Sequence, residues 1–389
     1  MRERVPNPDL AVDDSNKQRW NRPAHRRHGF HNAHRLFRRA LMVRSRNVLP
    51  LAPSPIDLPA ALPELRALLA HPAFSAFCCL RGDALIFEAA ADDFSPTAPH
   101  SIQSVTKLHI HLIFGHLLAQ RLVSLDAPVS DYLPDIGTGY ADAPVGALLD
   151  MAVRNDFSED YSDPLSDCYT EEVALGWRLP PEGAPEPSLA QFAAGITGFR
   201  PGPPPAFADY KSANTDVLTL IAAAVSPVPM ARLVEEIADA AGYEGAFHIS
   251  LSPEQLPAFS GGGCLSARDL ARFGLLCAGK SGDGPYPNAG FLRYCLEREA
   301  PSLKPPRDWL RYSGHLMTNG RLLGHAGYGG QFLLVDTETG TSCALLSVLE
   351  NDAGYDDEYM SQAAFCLRRV CEFLAYAHGI AKSSDAGHS

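Results

Sequence analysis

Lysine is nearly missing from this chain of 389 residues: it occurs only at Lys17, Lys107, Lys211, Lys280, Lys304 and Lys382, and the other twenty-seven of the 33 basic residues are arginine. Arginine keeps its proton in a protein, so among the amine and guanidine side chains only those six can readily become neutral. Paired cysteine spacing is missing too. The nine cysteines (Cys78, Cys79, Cys168, Cys264, Cys277, Cys295, Cys343, Cys366, Cys371) are odd in number and scattered, which argues against a zinc ribbon or a disulfide framework and reads as reduced core residues. The absence of Gly-x-Ser-x-Gly argues against the nucleophile elbow of an α/β-hydrolase. No His-Glu-x-x-His and no Gly-x-x-x-x-Gly-Lys-Ser/Thr occurs, so neither a zincin site nor a phosphate loop is expected. Apolar runs stop well short of the roughly 18 residues of a membrane helix, and the N-terminus MRERVPNPDL has no apolar signal core. The expectation is a cytoplasmic protein that spans no membrane, with no cofactor and no metal.

What is present is ordinary for a globular chain: 46% hydrophobic and 20% charged residues, with length enough for two sizeable lobes. The formal charge of −12 excludes nucleic-acid binding by the main body, which lacks the basic stripe such binding requires. Charge is unevenly spread. Residues 1–46 hold eleven arginines and Lys17 against four acids, about +8, leaving the remainder near −20. One reading is an arm for nucleic acid or an anionic membrane. The other, favoured because Trp20, Phe30, Leu36, Phe37 and Leu41 interrupt the charges, is a segment packed on the acidic body or on a second copy in a homodimer. His25, His28, His31 and His34 recur every third residue there, but Gly29 and the lack of nearby Cys or Glu ligands speak against a metal site.

Along the chain, a proline-rich link leads to a helix over Ala61–Leu69 and to apolar runs at 76–80 and 84–88 around a Gly-Asp turn, a β-hairpin pattern. Helical spacing begins at Ser104 with Leu108, Ile110, Leu112, Ile113, Leu117 and Leu118 on a thick apolar face; His109, His111 and His116 on it read as core residues rather than ligands. Residues 125–245 show helical patches (Val145–Val153, Leu189–Ala194, Thr215–Val225, Met230–Ala241) between proline-rich loops. Ser266 is the expected N-cap of another helix. A second hairpin follows at Gln331–Asp336 and Thr341–Leu349, then an amphipathic helix over Glu358–Ala377. Strands at both ends with helices between predict an α/β fold of α+β type: a lobe from residues 51–100 and 245–380, a helical lobe from 101–244 inserted in it, a basic extension over 1–50 and a flexible tail over 381–389. A site is expected at the seam of the lobes.

Ser104-Val105-Thr106-Lys107 supplies the chemistry. A serine and a lysine three apart lie one helical turn from each other, and Lys107 is the only lysine with serine at that offset. A serine hydroxyl needs its proton removed before it attacks, so Lys107 must be neutral for part of a cycle, and burial together with the positive helix end would favour this. Tyr210, in a loop before an apolar helix, is the candidate to share the proton. The run Gly324–Gln331 lets backbone approach a ligand, and its N–H groups could complete an oxyanion hole with Ser104. The plainer readings are a surface lysine, a packed tyrosine and a tight β-turn.

These segments, in this order, resemble the serine hydrolases of the β-lactamase and penicillin-binding-protein superfamily, in its class C branch, and most of all 6-aminohexanoate-dimer hydrolases and related carboxylesterases. Leu122–Val129 followed by Tyr132-Leu133-Pro134, the loop Glu159–Pro164 and Ser266–Gly274 carry further likeness, so that it spans about residues 73–370. The resemblance implies an antiparallel sheet flanked by N- and C-terminal helices with an inserted all-helical lobe. It also implies Ser104 as the acylated nucleophile, Lys107 as its proton acceptor, Tyr210 as the relay to the leaving group, and the amides of Ser104 and Tyr328 as the oxyanion hole. Tyr161 would contact the substrate amide from a mobile lid, and Ser212, His325 and Gly327 would border the substrate. The implied substrate is a small linear amide or ester, with acyl transfer to another acceptor as a variant. Three departures stand out. His325-Ala326-Gly327 replaces Lys-Thr-Gly, whose lysine serves the β-lactam carboxylate; Tyr210-Lys211-Ser212 replaces Tyr-x-Asn; and Met151-Ala152-Val153-Arg154 replaces Met-Thr-Ser-Gly.

Overall fold

The computed structural model describes residues 19–377 apart from 162, 164 and 281–283. The first eighteen residues and the expected 381–389 tail lie outside the described residues. Twelve described strands occur in chain order: β1 Ala40–Arg44, β2 Ala52–Pro53, β3 Phe74–Arg81, β4 Ala84–Ala90, β5 His100–Ser101, β6 Ala246–Ser250, β7 Gly263–Leu265, β8 Arg311–Ser313, β9 Leu316–Thr318, β10 Leu322–Gly327, β11 Gln331–Asp336 and β12 Thr341–Ser347. Eight form one sheet in the order β2-β4-β3-β12-β11-β10-β9-β8, antiparallel except for the short β2–β4 pair. The first and second hairpins therefore meet edge to edge, with Cys79 opposite Cys343. A second sheet, β1-β6-β7-β5, has no counterpart in the sequence expectation: β5 and β7 have only two and three residues, and the two five-residue strands, β1 and β6, are paired although one ends at Arg44 and the other begins at Ala246.

The continuous apolar run of β3 reflects burial on both faces. Ala76, Cys78 and Leu80 enter one core, with the Ala267–Cys277 and Leu108–Ala119 helices. Phe77 and Cys79 point to the opposite core, under the Asp357–Ala377 and Pro63–Leu69 helices. The expected single helix at 61–69 is two: Leu58–Ala61 and Pro63–Leu69, because Pro63 holds Leu62 extended at φ −126°, ψ 94°. Ser266 caps its helix as expected, accepting from the Asp269 amide. The Ser212–Val225 helix is almost wholly buried. No single helix among the described residues is long and apolar enough to cross a membrane.

The basic arm forms a helix over Pro23–Leu36, Pro23 sitting at its first position where no amide bond is lost. Phe30, Ala33 and Leu36 are buried against the body. Arg27 pairs with Asp93 at 2.6 Å, Arg38 with Glu186 at 2.9 Å, and Arg46 with Asp239. The arm then supplies β1 to the small sheet, so it is built into the body rather than merely resting on it.

Candidate active site

Ser104 and Lys107 do not open an α-helix, as their pattern suggested. They lie in a 3₁₀ turn, Gln103–Lys107, and the α-helix starts at Leu108. In a 3₁₀ turn residues three apart eclipse, which sets the two side chains one directly above the other. Lys107 Nζ lies 3.1 Å from Ser104 Oγ. The turn begins at Gln103, a non-glycine residue at φ +47°, stabilised by its amide donating to Ser101 Oγ at 2.8 Å. A left-handed glutamine next to the reactive group is a local strain that the fold imposes.

Lys107 is wholly buried. Its ammonium also donates to Ser212 Oγ at 3.0 Å and to the Ser260 carbonyl, and it stands 5.0 Å from the centre of the Tyr210 ring. The Ser104 hydroxyl reaches the same Ser260 carbonyl at 3.5 Å. The Tyr210 hydroxyl is buried and closes no hydrogen bond of its own. Burial raises its pKa, while Lys107 and, more weakly, Ser104 pull it down. Lys107 thus lies beside both of the other groups named from sequence.

The charge state of Lys107 differs from the expectation. Burial lowers its pKa, but Tyr210, Glu159 and Glu171 together outweigh burial and hold it above the ordinary lysine value. Both directions favour the ammonium form of Lys107 and the neutral phenol of Tyr210. Glu159 accepts from the Ser212 hydroxyl at 2.8 Å and from the Ser212 amide. Deeper, burial and then Asp216 push the Glu171 carboxyl well above its usual range, while burial pushes Asp216 up to about 6. Two neighbouring buried carboxyls cannot both ionise, so this pair keeps a proton at neutral pH. Neither was singled out from sequence; an aspartate one turn beyond Ser212 on an apolar helix was the available signal.

The remaining residues divide. Ser212 bridges Lys107 and Glu159. Gly327 ends β10 against the reactive turn: a Cβ there would stand 2.8 Å from the Ile102 carbonyl oxygen and 3.1 Å from the Ser104 nitrogen. The Ser104 amide, second in its turn, has no intrahelical acceptor, and Tyr328 follows directly after β10. Tyr161, 40% exposed, donates to Glu159 at 3.1 Å and its ring lies 5.4 Å from that of Tyr328. His325 does not face the cleft. It is buried behind Tyr210, with its ring 6.3 Å from the phenol ring and 2.9 Å from the Tyr312 hydroxyl, and burial holds it neutral. His325 shares its face of β10 with Gly327, and the Tyr210 and Tyr312 rings stand next to it there. The open cleft above Ser104 is bordered by Tyr161, Glu172, Trp177 and Tyr328 and closed on one side by Trp20 and Asn21 of the arm. His109 and His111 are core residues, bonded to the Thr106 and Gly314 carbonyls at 2.9 and 2.8 Å.

Comparison with known proteins gives the family. The family model described as Beta-lactamase matches residues 75–365. The chain is 30% identical over 298 residues to a 6-aminohexanoate-dimer hydrolase of Paenarthrobacter ureafaciens, 74% of either chain being covered. It superposes on a structure from Bacillus anthracis, named as a candidate 6-aminohexanoate-dimer hydrolase, with a TM-score of 0.79 at 17% identity over 94% of this chain and 99% of that one. A D-stereospecific amidohydrolase from Streptomyces sp. shares the fold at a TM-score of 0.57 and 18% identity, over 80% of this chain and 99% of that one. The extent of the family match, a hydrolase at 30% identity and the common fold lead to one assignment: the chain belongs to the beta-lactamase family and is a hydrolase related to 6-aminohexanoate-dimer hydrolase.

Proposed function

We propose that the chain hydrolyses small linear amides of amino-acid or aminohexanoate type through an acyl-enzyme on Ser104. The observation that carries this is the 3.1 Å approach of the Lys107 amine to the Ser104 hydroxyl inside a pocket closed by Tyr210. Neutral Lys107 takes the hydroxyl proton as Ser104 Oγ bonds to the substrate carbonyl carbon; the backbone N–H groups of Ser104 and Tyr328 receive the oxyanion. The proton then passes by way of Tyr210 to the leaving nitrogen, and in the second half a water follows the same route to free the acid. Because Lys107 rests as an ammonium, the reacting form is the minority in which it has lost its proton.

An aromatic-walled cleft supports a short unbranched substrate, and the 30% identical relative supports an amide. The same intermediate serves esters, so carboxylesterase action is expected beside the amidase. Without a lysine in place of His325, a β-lactam carboxylate loses its partner, and cephalosporins are expected to be poor substrates. Nine buried free thiols support a reducing compartment such as the cytoplasm. A panel of linear amides, p-nitrophenyl esters and a cephalosporin, run with the native protein and with Ser104→Ala, tests the reading. Turnover of amides and esters lost in Ser104→Ala is expected; a cephalosporin as the best substrate would refute the substrate class.

A further inference from the structure

The family match begins at residue 75, yet the cleft above Ser104 has a wall from far earlier in the chain. Trp20 and Asn21 stand just before the arm helix and border the cleft together with Tyr161 and Tyr328. Their placement is fixed from several sides. Gly29 lets the helix lie against them, since a Cβ there would come within 2.0 Å of the Trp20 carbonyl oxygen. The Trp20 ring lies 5.8 Å from that of Phe30, which is wholly buried and in turn 6.2 Å from Tyr328. Gly329, at φ +78°, gives Phe30 its seat: a Cβ at that glycine would be 2.5 Å from the ring.

Arg26 locks the assembly. It is 2% exposed, and its guanidinium donates to the Asn21 carbonyl at 3.1 Å, to Asn21 Oδ1 at 3.0 Å, and to the Leu349 and Asn351 carbonyls at 2.7 and 2.6 Å. The same group lies 5.4 Å over the Tyr328 ring. A buried arginine with this many acceptors is a rigid anchor, because losing any one leaves a carbonyl unpaired. A flat indole held rigidly beside a nucleophile excludes volume that a longer chain would need.

We infer that Trp20 and Asn21 are specificity-determining residues that limit the length of the substrate chain reaching Ser104, with Arg26 as their positioning residue. The inference rests on the acyl-enzyme reading only for where the substrate lies. Two measurements on the full chain test it. In the first, kcat and KM are determined for p-nitrophenyl acetate, hexanoate and decanoate with the native protein, Trp20→Ala, Trp20→Phe and Asn21→Ala. Trp20→Ala is expected to raise the decanoate-to-acetate ratio of kcat/KM by about tenfold or more, with Trp20→Phe between the two; an unchanged ratio overturns the wall. In the second, Trp177→Phe and Trp309→Phe leave Trp20 as the sole tryptophan, and hexanoate is titrated against its fluorescence. A saturable change is expected and holds even if Trp20→Ala does not fold. No change overturns the inference, whereas a saturable change beside turnover that survives Ser104→Ala keeps the wall and removes the catalytic reading.

Discussion

Lys107 faces a conflict between burial, which favours the amine, and Tyr210, Glu159 and, more weakly, Glu171, which favour the ammonium; the second influence wins. Its folded pKa is raised, so the neutral amine is scarce at neutral pH and grows as pH rises. For an ester substrate kcat/KM is therefore expected to climb from neutral into alkaline solution. Glu159→Gln removes one negative charge while keeping an acceptor for the Ser212 hydroxyl, and should move the whole profile to lower pH. A profile that stays in place would mean Glu159 has no hold on the lysine. Tyr210→Phe deletes only the buried hydroxyl and should lower kcat by about 10²–10⁴-fold, the usual range for a proton-transfer group, with KM little altered.

At the scale of elements, the reactive turn and the end of β10 are pressed together, and glycine at 327 permits it. In Gly327→Ala the new methyl would meet backbone atoms of Ile102 and Ser104, which cannot rotate aside. A loss of roughly 10²-fold in kcat is expected, as for other misplacements of about an ångström, together with a lowered Tm; native activity would show that the turn is free to shift. Such close approaches mark what the sequence discloses and what it hides. The Ser-x-x-Lys spacing, the hairpins and the amphipathic closing helix are periodic local signals and were legible. The 3₁₀ turn was not, because glutamine gives no warning of φ +47° and the conformation is set by neighbours distant in sequence. His325 was assigned to the substrate from its place in a motif, yet the rings of Tyr210 and Tyr312, from elsewhere in the chain, enclose it. Glu171, Asp216 and Trp20 joined the site from separate elements, and no local pattern links them to Ser104.

For the molecule as a whole, two cores sandwich the large sheet and each of the nine cysteines is buried in one of them or beside it. Burial pushes several of these thiols up, Cys366 to about 12, so they should not react while the chain is folded. Ellman's reagent should accordingly find almost no thiol in the native protein and nine after denaturation; rapid native labelling would show that the sandwich opens. The interior that shelters these thiols also keeps water from Lys107, and the chemistry proposed for Ser104 depends on that seclusion. The most direct measurement is intact and peptide mass spectrometry after brief incubation with a fluorophosphonate. A single adduct on the peptide carrying Ser104, absent from Ser104→Ala and strongly slowed in Lys107→Ala, is the expected result. An adduct that persists in Ser104→Ala, or forms at the native rate in Lys107→Ala, would contradict the lysine-activated serine.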